Sequence, residues 1–451
     1  MMSKKILMLT STWDSDYSRA IIAGILERIG DDDVILHIFN DYDGLTEPEY
    51  FQKGREIYSL PDLRHYDGLI VALSTVESVK YVSNITARFH EQNKPIVSID
   101  TQAEGAIFCG LDNYRSMYQI VEHMITIHDC RTINYLGGPV DNSESKERYR
   151  AFRDCLEAHG IKVQPKRVLH KRFWKKDGNE AYREWKELGV NMADCVICAN
   201  DYMALGYVEE ASKDGITVPD YIKVTGFDNI EEAHRYSPSI TSVNRNRKLL
   251  GYEAMDALME ALAGNSEYDT RFVEGFVNYN ESCGCDLSRD IRADYNDVIR
   301  TTKRDLDNSL RHGYIRQWLT KSNSMDELGS TLSRTKEFFK ICDLAVCVNS
   351  SFPEDDPEKE RIGYDDKMVL YTDEEKAEID RNEQLYPLKW IEEHKVFLFS
   401  SLRNSRQTYG YMVMPYESDF FTRNKHMILT ESMSLAVENI NYKTIKKNKT
   451  I

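Results

Sequence analysis

Two apolar runs of this chain end in the same way, and that pattern constrains the fold more than any other feature. The run 195–198, Cys-Val-Ile-Cys, stops at the polar pair Asn200-Asp201 and opens a helical pattern carrying Met203, Ala204 and Leu205. The run 222–225 ends in Gly226-Phe227-Asp228. Twice, a strand-sized apolar segment delivers an amide or a carboxylate at its C-terminal end. In open α/β sheets that end is where small ligands bind. The spacing predicts buried parallel strands with a polar crevice beyond them.

The flanking sequence extends the pattern. Short apolar runs at 6–9, 34–39, 68–73, 95–99 and 106–111 alternate with helical patterns such as 17–29, whose Ile21, Ile25 and Leu26 share one face. A second series follows at 132–136, 167–169, 194–199 and 221–225. Alternation of this kind argues for a parallel sheet covered on both faces. Two series of similar size predict two Rossmann-like lobes with a cleft between them.

The order of residues from Ile197 to Gly251 resembles the effector-binding core of the LacI/GalR repressors and of the sugar-binding proteins related to them. The resemblance implies a type I periplasmic-binding-protein-like fold, with crossings between lobes near Asp112-Asn113, 242–246 and 274–278. It also implies a ligand held between aromatic rings, with polar groups from both lobes at its edge. Tyr17, upstream of Gly24, matches the aromatic of the first strand-to-helix loop, and Phe173, upstream of Gly178, matches that of the second lobe, with Trp174 beside it. Arg148, in Arg148-Tyr-Arg-Ala-Phe152, matches an arginine that reaches into the cleft. Asn200 and Asp228 match the amide and carboxylate that bind hydroxyl groups, and Trp13 and Asp14 are additions from the first loop. Such a set suits a sugar or similar polyol, because rings cover C–H surface while Asp and Asn pair with hydroxyls.

Each residue also has a plainer reading. Asn200 could cap the following helix, and Asp201 is better placed for that role. Asp228 could serve a turn, Arg148 a surface ion pair, and Tyr17 and Phe173 lobe-edge packing. Two departures bear on the ligand. Ser74-Thr75 stands where sugar-binding relatives often carry an acid, and Arg245 where many carry glutamine. Together they predict a more positive cleft and an anionic ligand such as a sugar phosphate or sugar acid. The alternative is that Arg245 braces the hinge.

Past Cys285 the pattern changes. A charged helical stretch, 291–319, carries Tyr295, Ile299, Leu306, Leu310, Tyr314 and Trp318 near helical spacing. Then come a helix at 325–338, strands at 344–348, 367–371, 396–400 and 409–414, and a final helix at 423–445 with Leu429, Met433, Val437 and Ile440 near one face. By order alone this resembles a GAF-like sensory domain. The expected division is a sensor at 1–286, a helical linker at 287–322 and a GAF-like domain with a signalling helix at 323–451. The apolar helical positions predict a homodimer, since one chain looks unable to cover them.

Composition excludes several classes. Asp and Glu total 74 against 58 Lys and Arg, so the chain is no electrostatic match for nucleic acid. The longest apolar runs are strand-sized, and the N-terminus has no signal-peptide pattern, so a cytoplasmic protein is expected. The nine cysteines are scattered. Cys195 and Cys198 read as core, and Cys283-Gly-Cys285 reads as a domain-end strand ahead of a metal or oxidant-sensing pair. His123, His128 and His159 read as surface or packing residues. No nucleotide-binding, protease, hydrolase or kinase signature is present, and no cofactor, metal or catalytic activity is expected. Because the sensor pattern begins at Ile6, the expectation is a sensor without the helix-turn-helix that opens LacI-type repressors. A sensor acting on an output domain or partner is the leading expectation, and a transcription regulator with its DNA-binding part elsewhere is the alternative.

Overall fold

A computed structural model describes residues 3–11, 15–41, 54–73, 76–265, 270–285, 299–300, 302–303, 310, 312–353, 360–421 and 425–448. Trp13, Asp14, Ser74-Thr75, Leu306 and much of the 291–319 stretch lie outside them. The chain forms two compact units. One comprises Met1–Gly110, Arg247–Arg271 and Thr302–Ile451, and the other Leu111–Asn246 and Phe272–Thr301.

Strands follow in chain order as β1 (Lys4–Ser11), β2 (Val34–Asp41), β3 (Gly68–Ala72), β4 (Ile96–Ile99) and β5 (Ile107–Leu111). Next are β6 (Ile133–Gly137), β7 (Val168–His170), β8 (Cys195–Cys198), β9 (Lys223–Thr225), β10 (Ser242–Asn244), β11 (Thr270–Val273) and β12 (Phe276–Asn278). The last five are β13 (Ala345–Asn349), β14 (Lys367–Tyr371), β15 (Lys376–Asp380), β16 (Val396–Arg403) and β17 (Thr408–Pro415).

The Leu111–Asn246 unit is built on a parallel sheet in the order β7-β6-β8-β9. Along β8, Cys195 and Ile197 join an apolar cluster with Met117, Tyr135 and Phe152, while Val196 and Cys198 join another with Tyr182, Trp185 and Tyr207. Burial on alternate faces explains why these strands read as unbroken apolar runs. On one face, helices Lys175–Glu187 and Asp201–Ser212 touch backbone to backbone. A Cβ on Gly178 would fall 2.0 Å from the Met203 carbonyl oxygen, and one on Gly206 1.9 Å from that of Lys175. The other unit repeats the device, with Gly24 against Lys248 and Gly251 against Ile21.

Beyond β12 the chain does not continue as a strand. Glu281–Cys283 is a single 3-10 turn closed by Gly284 at φ +91°, in place of the domain-end strand expected there. Gly284 has no Cβ to oppose that left-handed conformation.

The other unit departs further from expectation. Its sheet has eleven strands in the order β11-β5-β4-β3-β1-β2-β16-β17-β13-β14-β15. The first lobe's parallel strands and the antiparallel C-terminal strands are therefore one sheet, and 323–451 is not a separate compact body. The seam is β2 against β16 in parallel register, Leu36 opposite Val396 through Asn40 opposite Ser400. Phe39 stacks on Phe399 across it, with centroids 4.5 Å apart and rings within 5° of parallel. Buried His37 bonds the Tyr66 and Tyr386 hydroxyls at 2.8 and 3.0 Å. Pairing closes an otherwise open edge, and shared burial of β2 and β16 holds it shut.

Leu429, Met433, Val437 and Ile440 are all buried, because helix Lys425–Asn448 packs on β16 and β17. The chain covers this stripe itself, so the stripe gives no reason to require a second chain. The linker's end also turns back, with Trp318 edge-on to Phe338 at 5.9 Å and the Arg334 guanidinium over its ring at 4.2 Å. No helix among the described residues is long and apolar enough to cross a membrane.

Candidate functional site

Beyond the C-terminal ends of β8 and β9, four charged side chains of one unit converge. Arg148 comes from helix Ser143–Ala158, which Asn142 caps by accepting from the Ser145 N–H at 2.8 Å. Its guanidinium donates to Asn113 Oδ1 (2.8 Å), the Ala199 carbonyl (2.7 Å) and Glu144 Oε2 (2.9 Å). It also lies over the Phe227 ring, 3.8 Å from the centroid. Arg245 grips Glu144 with both terminal nitrogens, at 2.5 and 3.0 Å, and reaches Asp228 Oδ1 at 3.3 Å. Asp228 Oδ1 is also 3.9 Å from Arg148.

Burial alone would raise the Glu144 carboxyl. The Arg245 and Arg148 guanidiniums outweigh that and hold it near 2. Two guanidiniums thus face two carboxylates, and the cluster is balanced. Glu144, a residue the sequence reading did not single out, thus supplies Arg245 with a counter-charge, while Ser74-Thr75, the other half of the expected positive cleft, lie outside the described residues. The guanidiniums are also the covered part, with side-chain exposures of 2% for Arg148 and 8% for Arg245. Glu144 and Asp228 are 23% and 20% exposed, so acceptor oxygens form the accessible edge.

Asp228 sits at φ +101° and Asn229 at +49°. Non-glycine residues rarely adopt such angles, which persist where surrounding structure over-determines them. Here the Asp228 N–H donates to the Val243 carbonyl at 3.0 Å and the Asn229 N–H to Ser242 Oγ at 3.0 Å. Asp201 completes the brace by accepting from Ser242 Oγ at 2.6 Å and the Ile230 N–H at 2.9 Å. The cap of helix Asp201–Ser212 is Asn200 rather than Asp201. Asn200 Oδ1 accepts from the Met203 N–H at 3.0 Å, and its Nδ2 donates to the Phe173 carbonyl at 2.9 Å.

The aromatic candidates divide. Phe173, at φ +73°, packs against Gly138, where a Cβ would come within 1.9 Å of the ring. Trp174 precedes helix Lys175–Glu187 and is 44% exposed. Tyr17 belongs to the other unit, within helix Ser15–Ile29. There its hydroxyl donates to Asp100 at 2.7 Å and the Arg247 guanidinium lies 5.3 Å from its ring centroid. Of the sequence candidates, Arg148, Asp228 and Arg245 come together directly, while Asn200 and Phe173 are joined to each other.

Residues 121–279 match the family described as periplasmic binding protein-like domain. Over that stretch the chain is similar to a periplasmic binding protein-like domain, and the relatives that follow are regulators. The HTH-type transcriptional repressor PurR of Actinobacillus pleuropneumoniae serotype 5b (strain L20) is 25% identical over 275 residues, 60% of this chain and 78% of that protein. The transcription regulator CcpA of Lactococcus lactis shares the fold at 19% identity, with a TM-score of 0.51 over 62% of this chain and 99% of that one. A regulatory protein of the LacI family from Chloroflexus aggregans does so at 14% identity and 0.51, over 61% and 98%.

Proposed function

We propose that this chain is the sensor of a regulatory protein and binds a small, hydroxyl-rich, uncharged effector through its periplasmic-binding-protein-like domain. The carrying observation is the balanced cluster with its carboxylates outermost. Glu144 and Asp228 offer acceptors to ligand hydroxyls, while Arg148 and Arg245, paired with them from beneath, hold both carboxylates in place and keep Glu144 ionised. A sugar or nucleoside supplies donors for such an edge. A phosphate would meet like charge first. Phe173 and Trp174 would contribute apolar cover, and Asn200 would act by holding the Phe173 backbone. The five C-terminal strands and closing helix would serve as a GAF-like regulatory module.

Calorimetry on the full chain with neutral sugars, their phosphates and nucleosides tests this. A neutral ligand should bind, and Asp228→Ala should weaken it by about 2 kcal/mol, roughly 30-fold, by stranding buried ligand hydroxyls. Unchanged affinity in that variant, or a phosphorylated sugar binding tighter than its neutral parent, would overturn the reading.

A further inference from the structure

Away from the charge cluster, four side chains of the Leu111–Asn246, Phe272–Thr301 unit converge that sequence reading kept apart. His123 lies in helix Asn113–Thr126, His128 just after it, and Cys283 and Cys285 flank Gly284 at the end of the 3-10 turn. One potential ligand atom from each of the four lies within 4.8 Å of all the others. His128 Nε2 is 3.1 Å from His123 Nε2 and 3.2 Å from Cys285 Sγ, and Cys285 Sγ is 3.3 Å from His123 Nε2.

We propose that His123, His128, Cys283 and Cys285 form a structural zinc site. Bond lengths of about 2.3 Å for Zn–S and 2.0–2.1 Å for Zn–N space tetrahedral ligands about 3.3 Å apart for N–N and about 3.5 Å for N–S. The three measured edges, 3.1, 3.2 and 3.3 Å, fall slightly inside those values. Ordinary hydrogen bonding accounts for the triangle poorly. One imidazole proton and one thiol proton serve two of its three edges unless a proton is shared between two acceptors, whereas a central cation serves all three.

Zinc takes neutral imidazoles and thiolates, and burial here opposes the thiolate form of Cys285, so the metal itself must displace the thiol proton. The His123 ring is held against Tyr279, centroids 4.1 Å apart. Gly284 at φ +91° turns the chain between the two cysteines. Four protein ligands with no open position make a closed, structural site. Binding would release the two thiol protons and give a neutral Zn(Cys)2(His)2 centre. It would pin the unit's C-terminal turn to helix Asn113–Thr126 and is independent of effector recognition.

The test uses the full chain, reduced, stripped with chelator and reloaded with zinc or cobalt. Elemental analysis should find about one zinc per chain, and cobalt should give the visible absorption of a tetrahedral thiolate complex. Zinc should raise the melting temperature, because it binds the folded state. Cys285→Ser and His128→Asn should each weaken zinc binding by about 100-fold or more, beyond what loss of an orienting partner alone gives. Circular dichroism identifies a variant that has failed to fold, and the wild-type cobalt spectrum decides the matter without any variant. Absence of stoichiometric metal and of a cobalt thiolate band, a Cys283–Cys285 disulfide in the native protein, or wild-type zinc affinity in a folded Cys285→Ser protein would overturn the proposal.

Discussion

Replacing Glu144 with Gln tests the charge cluster most severely. Glu144 accepts from both arginines, and it titrates near 2 in the folded chain against an ordinary value of 4.5. A depression of that size corresponds to about 3 kcal/mol of stability. Removing one partner of a buried ion pair costs about 3–5 kcal/mol, so the two figures agree. Because the folded value is depressed, the contribution is fully present above the unfolded value of about 4.5 and disappears as pH falls towards 2. Glu144→Gln should therefore lose about 3 kcal/mol at pH 7 and much less near pH 3. Hydrogen exchange of β6 and β8 amides across a urea series isolates this unit from the rest of the chain. A loss below 1 kcal/mol at pH 7, or an equal loss at pH 7 and pH 3, would refute the argument.

Two further predictions concern packing. Gly178→Ala should destabilise the same unit by about 3 kcal/mol, the upper end for overpacking, because the added carbon meets the Met203 carbonyl at 2.0 Å and the helices must separate. The same exchange assay reads it, and a neutral variant would show that the helices do not meet there. At the seam, Phe39→Ala and Phe399→Ala should each cost about 3–5 kcal/mol and couple by about 1 kcal/mol in a double-mutant cycle. Strictly additive losses in denaturant unfolding would deny the ring stack and the joined sheet.

How far the sequence carries depends on the range of the interaction. Strands 34–39 and 367–371 were legible because a short, mostly apolar run is written within a few residues, and β2 and β14 sit on those runs. β15 was missed because Lys376–Asp380 alternates charged residues with only Ala377 and Ile379, too weak a pattern on an edge strand. Asn200 was legible as a cap, but Asp201 looked better. The choice turned on backbone geometry, since Asn200 is extended and Asp201 already helical.

The larger errors share one cause. Arg245 read as an excess charge because Glu144, its partner, is 101 residues away. His123 and Cys285 read as dispersed for the same reason, at a separation of 162. The final helix read as an uncovered stripe because nothing local announces the sheet that covers it. Apolar runs say that β2 and β16 are buried, but they do not say which strand takes which edge. That choice depends on long-range packing, here the Phe39–Phe399 stack and the His37 bonds to Tyr66 and Tyr386. Local periodicity therefore gives the elements, while charge balance, metal ligation and domain boundaries depend on partners more than a hundred residues distant.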